Sequence, residues 1–294
     1  MSQPDVQNAA QLLRIPYQSK ATNDEREFFL YLPRGYAQGQ GERWPVILFL
    51  HGGGERGDGK DDLDYVLQHG PLGEAWLYGH ELPFVMIGPQ LPVFGMDAQI
   101  RLRAGTPKPQ RSADGPLPRP VARRPEQPML RAPDLSPSDV PGVTDAWGDE
   151  GFPGGWQLYE NELLAMVDHV LEHYHTDPDR VYLTGLSYGG HGTWHMAMHY
   201  PERWAAVAPI CGDANPKLVG KMAQRQLPVW IFQGGRDLRI KPQWIYDVAN
   251  ALEEAGHQSV RFTVHEDLPH DCWTRVYSGQ DLYAWFLEHR RSSE

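Results

Sequence analysis

The feature that most constrains this chain is a series of short, largely apolar runs, too short to be helices. Pro45-Val-Ile-Leu-Phe-Leu50 is the clearest. Successive side chains of a strand point to opposite faces, so a strand apolar at every position has to be covered on both sides. Similar runs lie at 84–87, 180–184, 205–210, 228–232 and 260–264, and 26–32 alternates in part before Pro33. Helical patterns lie among them at 160–175, 188–200, 243–255 and 281–289. In the first, Leu163, Leu164, Val167, Val170 and Leu171 recur at helical spacing, and Asp177-Pro178 closes the segment. The third stops at Gly256, a natural C-terminal cap. Strands alternating with helices of this length predict an α/β fold, a mostly parallel central sheet flanked by helices. The run at 26–32 is expected as an antiparallel addition at the sheet edge.

One region breaks the pattern. From 94 to 141 the sequence is rich in Pro, Arg, Ser and Asp, with almost no apolar periodicity. Residues 101–131 carry eight basic and two acidic side chains, on a chain whose formal net charge is −11. Such a segment buries too little apolar surface to fold alone. The chain is therefore expected to be one domain over 1–294, with an irregular Pro/Arg-rich insertion at 95–145 that is either a lid or a disordered loop. The acidic balance argues against a nucleic-acid partner, because phosphate backbones need a basic surface. Two cysteines, Cys211 and Cys272, are too few for a disulfide scaffold and have no zinc-site spacing. They read as reduced, partly buried thiols. The start, Met-Ser-Gln-Pro-Asp-Val-Gln-Asn, has no basic patch followed by an apolar run. No stretch approaches the ~20 apolar residues of a membrane span. The expectation is a cytoplasmic chain with no membrane span.

The chemistry is carried by three loops that follow strands. Gly185-Leu186-Ser187-Tyr188-Gly189-Gly190 lies between a strand and a helix. A serine at the tip of such a turn is an exposed nucleophile, with glycines where side chains would collide across the turn. Past the run at 228–232 comes Gln233-Gly-Gly-Arg-Asp237, and past 260–264 comes Glu266-Asp-Leu-Pro-His270-Asp-Cys-Trp273. Ser187 as nucleophile, His270 as base and Asp237 as orienting acid all fall at one edge of the expected sheet, in the chain order Ser, Asp, His. His51-Gly52-Gly53-Gly54-Glu55-Arg56-Gly57 follows the run at 45–50. Its backbone N–H groups suit an oxyanion, with Gly53 as first choice, Gly54 as alternative, and Tyr188 as second donor. It has neither the Gly-Lys-Ser/Thr ending nor the helix-opening G-x-G-x-x-G of phosphate-binding loops.

Rival assignments remain. Asp213 follows the run at 205–210 and is an alternative partner for the histidine, whereas His265, at the end of its own run, reads as structural. Among 13 histidines, His169/His173 and His195/His199 share a helix face. Neither pair encloses the Glu of H-E-x-x-H, so they read as ordinary histidines and no metal is expected. Trp147 on the return of the insertion, with the segment from Asp145 to Trp156, and Trp273 after the histidine are candidate walls of a substrate pocket.

With these residues in place, the chain resembles the bacterial carboxylesterases and predicted peptidases (phospholipase-like esterases) of the α/β-hydrolase superfamily. These are related to dienelactone hydrolases and the prolyl oligopeptidase catalytic domain. The resemblance rests on His-Gly-Gly-Gly-Glu-Arg-Gly, on Asp177-Pro-Asp-Arg-Val-Tyr-Leu-Thr-Gly-Leu-Ser187 and on Pro209-Ile-Cys-Gly212. It implies that Ser187, Asp237 and His270 form a triad acting on small-molecule esters, without a cofactor. Trp273 would be the aromatic commonly found just after the histidine. Tyr188 stands where Met is expected, and the insertion is longer than usual. Both departures bear on substrate choice. A serine peptidase and a non-catalytic binding protein on the same fold are the competing readings.

Overall fold

The computed structural model describes residues 9–37, 39, 41–97, 105–121 and 155–291. Eight strands form one sheet in the order β1-β2-β4-β3-β5-β6-β7-β8. They are β1 (Gln11–Gln18), β2 (Glu25–Leu32), β3 (Trp44–Leu50), β4 (Val85–Gly88), β5 (Thr176–Leu186), β6 (Ala206–Ile210), β7 (Val229–Gly234) and β8 (Val260–His265). From β4 to β8 every neighbouring pair is parallel, while β1/β2 and β2/β4 are antiparallel.

The antiparallel character of β2 is as expected, but its place is not. β1 covers its outer side in an unbroken register from Gln11↔Leu32 to Gln18↔Glu25. Half of the residues of β1 are exposed and the rest only partly sheltered, and Pro16 interrupts its donors. A half-exposed strand with a proline gives little apolar signal, and the outermost position of a sheet is where such a strand is tolerated. The first long helix ends at His173, earlier than Asp177-Pro178, because that dipeptide is already part of β5.

The helices are α1 (Gly70–Trp76), α2 (Glu160–His173), α3 (Tyr188–His199), α4 (Gly220–Arg225), α5 (Pro242–Glu254), α6 (Trp273–Ser278) and α7 (Asp281–Leu287). Among the described residues none is long and apolar enough to cross a membrane. Two apolar layers account for the uninterrupted run in β3. Val46, Leu48 and Leu50 pack in one layer with Leu163, Val167 and Val170 of α2 and Ile245, Val248 and Leu252 of α5. Ile47 and Phe49 point the other way, into a layer with Leu72 of α1, Tyr277 of α6 and Phe286 of α7. Each such side chain contributes about 1.5–3 kcal/mol by leaving water.

The described part of the insertion, 105–121, lies against the body. Leu117 N–H donates to the Leu77 carbonyl (2.8 Å), Arg119 pairs with buried Glu74 (2.9 Å), and the Arg111 guanidinium lies 4.4 Å from the Trp76 ring. Basic side chains of the insertion thus meet an acidic group and a π face of the body.

Candidate active site

Parallel strands end at a common edge, and the loops that leave β3, β5, β7 and β8 meet there. Ser187 links β5 to α3 at φ 53°, ψ −118°, a left-handed conformation costly for any residue with a Cβ. Close approach is what holds it. A Cβ at Gly189 would overlap the Leu50 carbonyl, and one at Gly185 would stand 2.7 Å from the same oxygen. The Ser187 N–H is tied to the Ile210 carbonyl on β6 (2.9 Å).

The three residues expected to act together do meet. His270 Nε2 stands 3.0 Å from Ser187 Oγ, and its Nδ1 stands 2.6 Å from Asp237 Oδ2. A carboxylate can only accept, so Nδ1 carries a proton, and in the neutral ring Nε2 is left to accept the Ser187 hydroxyl. Asp237 is buried and fully engaged. Its Oδ1 accepts the N–H groups of Arg239 (2.8 Å) and Ile240 (3.0 Å), and its Oδ2 also accepts from Gln233 Nε2 (3.2 Å). Burial opposes protonation of His270, but the hydrogen bond to Asp237 and the neighbouring Cys211 favour it more, and its pKa rises to about 9.

Asp213 lies elsewhere. It is buried against His191, whose Nδ1 is 2.8 Å from its carbonyl and 3.0 Å from Oδ1. His265 stacks on Phe232 at the end of β8. The helical histidine pairs lie ring against ring, at 4.4 Å for His169/His173 and 4.1 Å for His195/His199. The trio with metal-ligand spacing among the described residues is Cys211, Asp237 and His270, within 4.8 Å of one another. Two of its members already share the 2.6 Å bond of the acid–histidine pair.

These groups open into a cavity of about 700 Å³. Its wall includes Gly53, Gly54, Ser187, Tyr188, His270 and Trp273, and Thr106 from the insertion. Tyr188 is the first residue of α3, so its N–H belongs to the helix's N-terminal end, where partial positive charge gathers. The glycine run is less uniform than its sequence suggests. A Cβ at Gly52 would lie 2.9 Å from Leu186 Cδ1 and 3.1 Å from Glu55 Oε2, so those side chains would have to shift, whereas one at Gly54 would meet open space. Trp273 stands edge-on to His270, with ring centroids 5.1 Å apart. Trp147 lies outside the described residues. Trp156, expected to help wall the pocket, is instead buried behind the glycine-rich loop that follows β3. Its Nε1 donates to the His51 carbonyl (3.3 Å) and its ring packs edge-on against His51 at 4.9 Å.

Several participants carry no recognisable signal beyond the motifs that contain them. Arg56 is wholly buried, donates to the Pro92 carbonyl (3.0 Å) and places its guanidinium 4.5 Å from the Tyr188 ring. Burial pushes it down to about 10, which leaves it charged at neutral pH. His51 accepts from the Leu91 N–H at Nε2 (2.9 Å) and donates from Nδ1 to the Gly52 carbonyl (2.6 Å). Glu55 and His69 face each other across the cavity wall at 3.7 Å. Burial lowers His69 to about 4, so its ring is neutral at pH 7.

The comparisons with known proteins agree with this architecture. A model of the prolyl oligopeptidase family matches residues 157–219, which include Ser187 and α3. Poly(3-hydroxyalkanoate) depolymerase C of Paucimonas lemoignei is 49% identical over 63 residues, 20% of this chain and 15% of that protein. The bifunctional acetylxylan esterase/xylanase of Neocallimastix patriciarum is 36% identical over 124 residues, 42% of this chain and 17% of that protein. The chain thus spans under a fifth of these curated relatives. The crystal structure of a thermostable esterase superposes with a TM-score of 0.61 at 23% identity, covering 95% of this chain and 63% of that one. With the strand order, the parallel sheet and the serine turn after β5, these matches give the chain an α/β-hydrolase fold.

Proposed function

We propose that this chain is a serine carboxylesterase acting on short-acyl or aryl esters through an acyl-enzyme. The observation that carries the reading is the continuous relay Asp237–His270–Ser187, at 2.6 and 3.0 Å, opening into a cavity. His270 Nε2 takes the Ser187 proton as Oγ attacks the ester carbonyl carbon. The carbonyl electron pair moves to oxygen, where the N–H groups of Gly53 and Tyr188 receive it. Collapse expels the alcohol, protonated by His270, and water repeats the sequence on the acyl-enzyme with the same base. Asp237 keeps the imidazole in the useful tautomer and stabilises the imidazolium. No cofactor enters these steps. The insertion at 95–145, within a single domain, supplies Thr106 to the cavity wall and limits the alcohol or acyl group that fits.

The test is hydrolysis of p-nitrophenyl acetate, butyrate and octanoate by wild type and Ser187→Ala. Activity that falls with chain length and disappears in the variant is the expected result. Retention of near-wild-type turnover by Ser187→Ala in a clean preparation would refute the assignment. A second reading, a serine peptidase, is favoured by the prolyl oligopeptidase match at 157–219. Peptide p-nitroanilides hydrolysed faster than the esters would select it. Failure of a fluorophosphonate to label Ser187 in folded protein would instead point to a non-catalytic binding protein.

A further inference from the structure

Cys211 and Cys272 are 61 residues apart in the chain, yet their sulfurs stand 3.1 Å from each other. Both side chains are fully buried, not partly so as their composition suggested. Cys211 follows β6 directly, at φ 49°, with its N–H tied to the Phe232 carbonyl on β7 (3.0 Å). Cys272 lies two residues beyond His270 and caps α6. Cys211 Sγ also lies within 4.8 Å of a ring nitrogen of His270, so the sulfur pair sits beside the histidine. A disulfide needs a sulfur separation of about 2.05 Å, which leaves roughly 1 Å to close.

We propose that Cys211 and Cys272 are a dithiol–disulfide modification site beside His270, closed by a small-molecule disulfide, which staples the histidine turn to the end of β6. One cysteine thiolate attacks the small disulfide, forms a mixed disulfide and releases one thiolate. The second cysteine thiolate attacks the protein-bound sulfur, forms the Cys211–Cys272 bond and releases the other. The two protein thiols lose two protons and two electrons, and the oxidant becomes two thiols. Burial holds the Cys211 thiol well above its ordinary pKa, so exchange is slow in the closed fold. It proceeds during folding or when the histidine turn opens, and the finished bond is equally sheltered from reductants.

The test uses the full chain, refolded from denaturant with reduced and oxidised glutathione and compared with the same protein kept in dithiothreitol. The expected product has lost two hydrogens by intact mass, carries no glutathione, shows no alkylatable thiol after denaturation, and recovers two with dithiothreitol. Closing so long a loop raises its melting temperature by on the order of 5–10 °C. Cys211→Ser and Cys272→Ser are each expected to lose the glutathione-dependent shift. If either fails to fold, the wild-type mass still decides. Two alkylatable thiols after oxidative refolding, or glutathione adducts in place of the internal bond, overturn the site. An unchanged melting temperature in fully oxidised protein overturns the staple. The thiol readouts need no substrate, so they stand or fall separately from the esterase reading.

Discussion

Replacing Ser187 by glycine should give a more stable protein than replacing it by alanine, the reverse of the usual order. Both changes remove the hydroxyl and its 3.0 Å contact with His270, so that loss cancels between them. They differ at the Cβ. At φ 53°, ψ −118° any side chain is strained, and strain of this kind costs of order 1–3 kcal/mol. Alanine keeps the strain and glycine relieves it. Glycine in turn loses more backbone entropy on folding, about 0.5–1 kcal/mol. The balance favours Ser187→Gly by roughly 0.5–2 kcal/mol, or about 1–4 °C in melting temperature for a domain of this size. Urea unfolding followed by far-UV circular dichroism, with equal m-values, measures the difference, and both variants should be inactive on p-nitrophenyl acetate. A glycine variant less stable than the alanine one would show that the turn after β5 imposes no cost on Ser187, and would refute the assignment of strain to it.

Because the pKa of His270 is raised, and the base must be unprotonated to act, kcat/KM should climb with pH through an inflection above 6.5 and toward 9. An inflection at or below 6.5 in a pH–rate profile would contradict the hydrogen bonds assigned to it. Asp237→Asn should fold normally but lose about 10⁴-fold in kcat, because the amide can donate to Nδ1 and reverse the tautomer. Asp213→Asn, next to His191 instead, should show its effect in denaturant midpoints and leave the pH inflection in place. Leu48→Ala, in the layer shared by β3, α2 and α5, should cost about 2–5 kcal/mol in urea unfolding without moving KM.

The fold class was legible in the amino-acid pattern, because strands buried on both faces and helices buried on one leave different periodicities. Ser187, Asp237 and His270 could also be placed together, since each follows an apolar run and parallel strands bring their ends to one edge. Elements whose shelter comes from distant partners left little trace. β1 is half exposed and interrupted by Pro16, and its position became definite only when β2 paired with it. The same holds for the choice between Asp237 and Asp213, which follow adjacent strands. Sequence order ranks them, but only the tertiary structure turned one carboxylate to His270 and the other to His191. Trp156 looked like pocket wall and proved to be support behind His51, because side-chain direction depends on the packing of the turn that carries it. The meeting of Cys211 and Cys272 depends wholly on the crossing of β6 and the histidine turn, 61 residues apart. Local periodicity reports which face of an element is buried, and it is silent about what that face is buried against.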